Sequence, residues 1–232
     1  MRCVGAKYHL MRHKFFLLQT LALYELLPKS HGANPDFSAK NGVFMEYAFH
    51  FCNTLAETGI LMALANVLKG TDAPPVVPCI GSDLAIGDSL GPVTGTLLRR
   101  QEGFRGFVYG TLKTPVTAKE IKNLESFLRR THPRSKIIAI DAAVGEESDV
   151  GLLKVTPGPL RPGSGANKRL GKVGDVSILG IVARKSAFSY SLLNLTRLNM
   201  VYTMAETVAR ALTAYTCRQI GADENCLQAT KR

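Results

Sequence analysis

The 232-residue chain lacks several patterns that would assign it a function directly. It has no tryptophan, no C-x-x-C pair among its five cysteines, and no run of basic residues interleaved with aromatics. The cysteine spacing does not suit a zinc module, and a sequence-specific nucleic-acid module is not expected. Because the cysteines are unpatterned, we expect a reducing, cytoplasmic setting.

Histidine is missing where catalysis by a nucleophile would need it. His9, His13 and His31 precede the regular part of the chain, His50 falls on the first predicted helix, and His132 lies at the far end of the predicted sheet. There is also no G-x-S-x-G elbow, so a Ser-His-Asp or Cys-His mechanism is disfavoured. P-loop and G-x-G-x-x-G spacings fail as well, which leaves nucleotide binding with little support.

The amino-terminal part differs in composition from the rest. Residues 1–45 hold six basic and two acidic residues. The whole chain has a net charge of +11, which is compatible with binding to an acidic partner. The apolar run Phe15–Leu23 resembles a signal-peptide core, but it is too short to span a bilayer and lacks a good cleavage site. We therefore predict a loosely structured extension and linker over 1–45, one α/β domain over 46–220, and a flexible tail over 221–232.

Helical spacings alternate with short apolar runs from Glu46 onward. Strands are predicted at Val76–Ile80, Phe104–Tyr109, Lys136–Ile140, Gly151–Thr156 and Val176–Val182. Helices are predicted from Glu46 to before Gly70, from Pro92, from Thr117 with Glu120 completing a capping box, and from about Ser191. The strands lack strict polar alternation, which is typical of strands covered on both faces. The pattern predicts a three-layer α-β-α sandwich with a mostly parallel central sheet.

Two acidic residues follow the apolar runs of this predicted sheet. Asp88 lies between Gly87 and Ser89, and Asp141 directly follows Ile137–Ile140. Parallel strands bring their carboxyl ends to one edge, so both side chains are candidates for a single site. Two such carboxylates could hold a divalent metal ion, or share a proton and activate a water. Alternatively, Asp88 or Asp83 is a helix cap or turn former.

A loop rich in proline and glycine, 156–169, supplies the remaining candidates. Its Gly-Ser-Gly-Ala-Asn-Lys stretch could hold an anion or a substrate backbone, so we take Ser164, Asn167 and Lys168, together with Asp83, as candidate substrate-binding residues. The alternative interpretation is a solvated connection.

Several segments together resemble the YyaC family of predicted spore proteases from endospore-forming bacteria. These are Gly81–Asp83, Gly87–Pro92, Tyr109–Leu112, Ile140–Ala142, Pro162–Lys168, Val173–Asp175 and Asn194–Asn199. More distantly, the chain is similar to the germination proteases, which degrade small acid-soluble spore proteins, and to the hydrogenase maturation proteases. In both, acidic residues at two strand ends form the site, and Asp88 and Asp141 match those positions. No histidine is offered as a third metal ligand, so nickel sensing is in doubt.

The resemblance implies a cytoplasmic peptidase of the mother cell, forespore or spore, acting on a protein or peptide substrate such as a small spore protein. Asp88 and Asp141 would be catalytic, and either could be the base. Two alternatives stay open: a non-catalytic spore protein whose cleft binds a peptide or metal, and a small-molecule hydrolase.

Overall fold

The structure, a computed structural model, describes residues 46–69, 73–117, 119–161, 171–186 and 193–219. All of them belong to one compact unit, Phe44–Arg232. Six strands and four helices are described: β1 Tyr47–His50, α1 Ala56–Val67, β2 Val76–Pro78, α2 Leu90–Arg100, β3 Phe107–Tyr109, α3 Ile121–Thr131, β4 Ile138–Gly145, β5 Leu152–Pro157, β6 Val176–Arg184 and α4 Leu198–Gln219. Short 3₁₀ turns lie at Ile86–Ser89 and Glu147–Asp149. The protein is thus of mixed α/β class.

Strand pairing joins parallel and antiparallel neighbours. One sheet has the order β1-β5-β6-β4, in which β5 runs antiparallel to both β1 and β6, whereas β4 runs parallel to β6. A second sheet pairs β2 and β3 in parallel, and isolated parallel bridges connect Val76 to Ile137 and Cys79 to Ile140. The predicted mostly parallel sheet is therefore not confirmed. The connection from β4 to β5, residues 146–151, is too short for a helical crossover, so β5 returns antiparallel.

The buried residues form two clusters, and β4 contributes to both. Ile138 and Ile140 pack in a cluster with residues of α1, α2 and α4, whereas Ile137 and Ala139 pack in a cluster with residues of α3. Because successive strand residues point to opposite faces, each cluster occupies its own side of the strand. Both clusters contain side chains that are fully buried, so β4 is held in place from two sides.

The first predicted helix is wrong over its first ten residues. Residues 47–50 are strand β1, in which Tyr47 and Phe49 turn to the core while Ala48 and His50 are exposed. The helix begins only at Ala56, after Asn53 has accepted the backbone N–H of Leu55 at 2.9 Å. Cys52 is exposed in the intervening turn, whereas Cys79 is buried.

Other predicted elements agree more closely with the structure. Glu120 accepts the backbone N–H of Thr117 at 2.8 Å, which is one half of the predicted capping box, but α3 begins only at Ile121 and its N-cap is Glu120, not Thr117. The helix predicted from about Ser191 begins at Leu198. It buries one face from Val201 to Tyr215, whereas Leu198 is exposed. No helix in the described ranges is long and apolar enough to cross a membrane.

Candidate active site

The two acidic candidates lie on different elements that meet beside the end of β2. The backbone N–H of Ile80 donates to the carbonyl of Ile140 at 2.7 Å, which places the start of the 81–91 loop directly beside Asp141. This loop carries Asp88 in the 3₁₀ turn 86–89, and the turn contacts β4. The structure therefore brings Asp88 and Asp141 together.

The expectation that Asp141 ends its strand is wrong. β4 continues through Asp141 to Gly145, and Asp141 pairs with Leu179 of β6. The strand that ends beside Asp141 is β2, which lies on the other side of β4. The last bridge from this part of the chain to β4 joins Cys79 to Ile140. The loop that follows β2 takes its place beside Asp141.

Glycines allow the backbone to pack closely around the pair. Gly81 has φ of +138°, and a Cβ added there would collide with the carbonyl oxygen of Asp88. A Cβ on Gly91 would collide with the carbonyl of Ile80, and one on Gly87 would lie 2.9 Å from side-chain atoms of Leu193 and Thr196. These contacts hold the loop and the 193–196 segment against the site.

The pKa values of both carboxyl groups are displaced upward. Burial raises the pKa of Asp88 to about 6, although the backbone N–H of Ser82 acts in the opposite direction. Asp141 is 6% exposed, and its pKa is raised well above the ordinary range, first by burial and then by the negative charge of Asp88. The backbone N–H of Ala142 donates to its Oδ1 at 2.8 Å and partly offsets the shift. The more deeply buried Asp141 therefore holds a proton more readily than Asp88 does.

The site offers few other groups for direct chemistry. The thiol of Cys79 lies nearby, but burial raises its pKa, so it stays protonated and is a poor nucleophile. Among the described residues there is no group of three or more histidine, cysteine or acidic side chains that could hold a metal ion. Two carboxylates fall short of the three protein ligands typical of a catalytic zinc site, so we derive no step through a metal.

Of the four predicted substrate-binding residues, only Asp83 is among the residues that the structure describes. Asp83 is exposed on the same loop as Asp88. Ser164, Asn167 and Lys168 lie outside the described residues. The described residues on either side of this loop, Leu160 and Val173, pair with each other. Both pack in the cluster that contains Ile137, which lies four residues before Asp141 in the chain.

Three contributors were not identified as site residues from the sequence. Leu193 and Thr196 pack on Gly87, and the hydroxyl of buried Ser89 donates to the carbonyl of Ile86 at 2.7 Å. The sequence signal that could have found Ser89 and Thr196 was the family resemblance, because the segments that carry it include residues 87–92 and 194–199.

Comparison with known proteins now assigns the family. A family model described as "Protein of unknown function (DUF1256)" matches residues 49–211. The chain belongs to this DUF1256 family. It is also similar to "Uncharacterized protein YyaC" of Bacillus subtilis (strain 168), with 38% identity over 176 residues that cover 76% of this chain and 85% of that protein. The predicted resemblance to the YyaC family is thus confirmed, and both Asp88 and Asp141 fall within the matched DUF1256 region.

Proposed function

We propose that this DUF1256 member is a peptidase that hydrolyses peptide bonds of a protein substrate with Asp88 and Asp141. The observation that carries the proposal is the meeting of two carboxyl groups, one half-buried and one buried, beside the end of β2, where burial raises the pKa of both. Acid and base chemistry at one site requires two groups whose environments push their pKa values apart, and here the more deeply buried one is the acid.

The sequence left open which carboxylate is the base, and the burial of the two groups favours Asp88. Asp88 is only half-buried and has a pKa of about 6, so it is ionised at pH 7 and can accept a proton from water. That water attacks the peptide carbonyl carbon. Protonated Asp141 donates a proton to the carbonyl oxygen. When the intermediate collapses, the C–N bond breaks, the amine takes the proton that Asp88 removed from water, and a hydroxyl of the intermediate returns a proton to Asp141. The products are a carboxylic acid and an amine.

The resemblance to spore and germination proteases supports a small spore protein as the substrate and a cytoplasmic location in the mother cell, forespore or spore.

We also infer a three-layer arrangement, because α3 packs on one side of β4 while α1, α2 and α4 pack on the other. The competing functions remain a non-catalytic protein whose cleft binds a peptide or metal, and a small-molecule hydrolase.

The test is cleavage of extracted small spore proteins by the purified full chain and by Asp88→Asn, Asp141→Asn and Asp83→Asn. The amide is nearly isosteric but is neither an acid nor a base, so the first two variants should lose activity by about a hundredfold or more. The double variant should cost little beyond either single one, because the two groups act as a unit. Asp83→Asn tests the candidate substrate-binding residue. Glu147→Gln, which changes an exposed carboxylate of the 3₁₀ turn 147–149, is the matched control and should retain activity.

The outcomes separate the alternatives. Full cleavage by Asp141→Asn would overturn the catalytic role of the pair. No cleavage by the wild type, with binding of the same spore proteins retained, would favour the non-catalytic protein. Loss of cleavage with a chelator would instead point to a metal held by the pair.

A further inference from the structure

Two stretches beside the acid pair carry more than half of the large apolar side chains that the described part of the fold leaves exposed. Nine such side chains are exposed among the described residues, and five of them lie within 84–86 and 195–202. We call four of these the apolar rim: Leu84, which is 86% exposed, Ile86, Leu195, which is 78% exposed, and Leu198. Exposed apolar surface gathered in this way usually marks a binding surface.

The first half of the rim belongs to the loop that carries Asp88, and this loop is closed by its own backbone. The N–H of Ser82 donates to the carbonyl of Asp88 at 3.1 Å, and the N–H of Asp88 donates to the carbonyl of Ala85 at 3.0 Å. Ala85 is buried, whereas Leu84 and Ile86 on either side of it are exposed. The exposure of these two side chains is therefore built into an anchored loop.

The second half of the rim is anchored to the same loop. Leu193 and Thr196 both pack on Gly87, the residue before Asp88. Thr196 is buried, and its hydroxyl donates to a backbone carbonyl of β6 at 3.5 Å. Leu195 lies between these two anchors in the chain and is nevertheless exposed. The two halves of the rim thus come from segments that meet beside the acid pair.

The acid pair is recessed, whereas the rim is exposed. Asp141 is buried and Asp88 is half-buried, while Leu84 and Leu195 are almost entirely open to solvent. A flat surface would contact first the side chains that stand out. An extended peptide advances about 3.3 Å per residue and turns successive side chains to opposite faces. It can therefore place one side chain on the rim while a neighbouring peptide bond reaches the recessed carboxyl groups.

We propose that the apolar rim is a substrate subsite, which binds a large aliphatic or aromatic side chain within about three residues of the bond that is cut. The inference rests on the proposed peptidase function and adds a substrate class to it. That class is an extended peptide segment with a leucine, isoleucine, methionine or phenylalanine close to the cleaved bond. Burying such a side chain against the rim removes apolar surface from water on both partners, which favours these peptides over polar ones.

The first test measures binding without cleavage, so it does not depend on whether the acid pair is catalytic. The probes are four fluorescein-labelled decapeptides of glycine, serine and alanine. They differ in one central residue, which is leucine, phenylalanine, alanine or lysine. Fluorescence anisotropy is followed with the full chain carrying Asp141→Asn, and again with Asp88→Asn. We expect the leucine and phenylalanine peptides to bind about tenfold more tightly than the alanine and lysine peptides.

Variants of the rim locate the subsite. Leu84→Ser and Leu195→Ser should each weaken binding of the leucine peptide by about threefold to tenfold and leave the lysine peptide unchanged. Both side chains are largely exposed, so their loss costs the fold little, and circular dichroism checks this. Leu84→Met keeps an apolar side chain and should keep the preference. The matched control is Phe127→Ser, which removes an exposed ring on α3, on the opposite side of β4, and should bind as the parent does.

The second test reads the position of cleavage. The wild type is incubated with a mixture of synthetic peptides of random sequence, and the cut bonds are identified by mass spectrometry. Large apolar residues should be enriched close to the cut bonds. Leu84→Ser should raise KM for such peptides with little change in kcat, the pattern of a residue that binds substrate and transition state equally. Asp88→Asn should instead lower kcat.

The outcomes distinguish this inference from the proposed peptidase activity. A binding preference for the apolar peptides without any cleavage would support the rim and count against the peptidase. Cleavage without enrichment of apolar residues would overturn the rim and leave the peptidase standing. Equal binding of all four peptides would also overturn the rim.

Two other occupants of the rim are tested with the same variants. Binding to vesicles of phosphatidylglycerol and phosphatidylcholine that is lost in Leu84→Ser and Leu195→Ser, with no preference among the peptides, would assign the rim to a membrane surface. Self-association in sedimentation equilibrium that is lost in the same variants, again with no peptide preference, would assign it to a second copy of this chain. Either result would overturn the proposal.

Discussion

Replacing Asp88 by asparagine should make the protein more stable at alkaline pH and leave its stability unchanged near pH 4. Burial raises the pKa of this carboxyl group from 3.8 to about 6, so the folded state holds the proton more tightly than the unfolded state does. The free energy of unfolding of the wild type therefore falls as pH rises from about 4 to 6 and stays low above that range. Asparagine cannot ionise and escapes this loss.

The size of the effect follows from the shift. One pKa unit corresponds to about 1.4 kcal/mol, so a shift of about two units sets an upper limit of about 3 kcal/mol. Because the side chain is only half-buried, solvent screening reduces the expected gain to about 1–2 kcal/mol at pH 8. The N–H of Ser82 donates to the backbone carbonyl of residue 88 at 3.1 Å, so the substitution leaves this hydrogen bond in place.

Urea unfolding followed by circular dichroism at pH 4, 6 and 8 measures this gain. Asp83→Asn, on the exposed part of the same loop, is the control and should show no pH-dependent difference from the wild type. In carbon-13 titrations, Asp141 should titrate at lower pH in Asp88→Asn than in the wild type, because the repulsion from Asp88 is gone. It should still titrate above the ordinary range, since burial is the larger cause. A stability gain of equal size at pH 4 and pH 8 would refute the reasoning.

Two further predictions concern the scaffold. Burial alone would raise the pKa of Asp175, but hydrogen bonds from Arg129 and from the backbone of Ile137 override it and lower the pKa. Asp175→Asn should therefore cost about 1–2 kcal/mol at pH 7, and urea unfolding should show this gap closing as pH falls below about 4, where the wild-type carboxylate also takes up its proton. Gly95→Ala should lower the unfolding free energy by about 1–3 kcal/mol in thermal denaturation, because the new Cβ would collide with the carbonyl of Gly110; a gain in stability from helix propensity alone would contradict this contact.

The sequence was informative wherever one physical signal dominated. Strands covered on both faces are apolar throughout, so the approximate positions of all the strands from β2 to β6 could be predicted. The start of α3 could be predicted to within one helical turn, because the contact between Thr117 and Glu120 is local, although the helix itself begins at Ile121. The acid pair could be predicted as far as its two residues, since both follow apolar runs.

The misplaced elements are those decided by tertiary contacts. Tyr47 and Phe49 match a helical spacing as well as a strand alternation, and only the pairing of β1 with the distant β5 selects the strand. Asp141 was taken as a strand end because ionised carboxylates avoid buried strands. In the fold, its raised pKa lets it continue the strand as a neutral acid.

The pairing of β1 with β5 has a consequence for the order in which the chain folds. Tyr47 pairs with Val155 and His50 with Leu152, so this ladder joins residues about a hundred positions apart. Closing so long a loop costs conformational entropy before any contact is gained, and contacts of high sequence separation slow folding. During synthesis β1 leaves the ribosome well before its partner strand exists. Phe49 packs on Gly59 in the folded protein. The strand that contains it can therefore pair only after β5 and β6 have formed, and until then its spacing is also compatible with a helix.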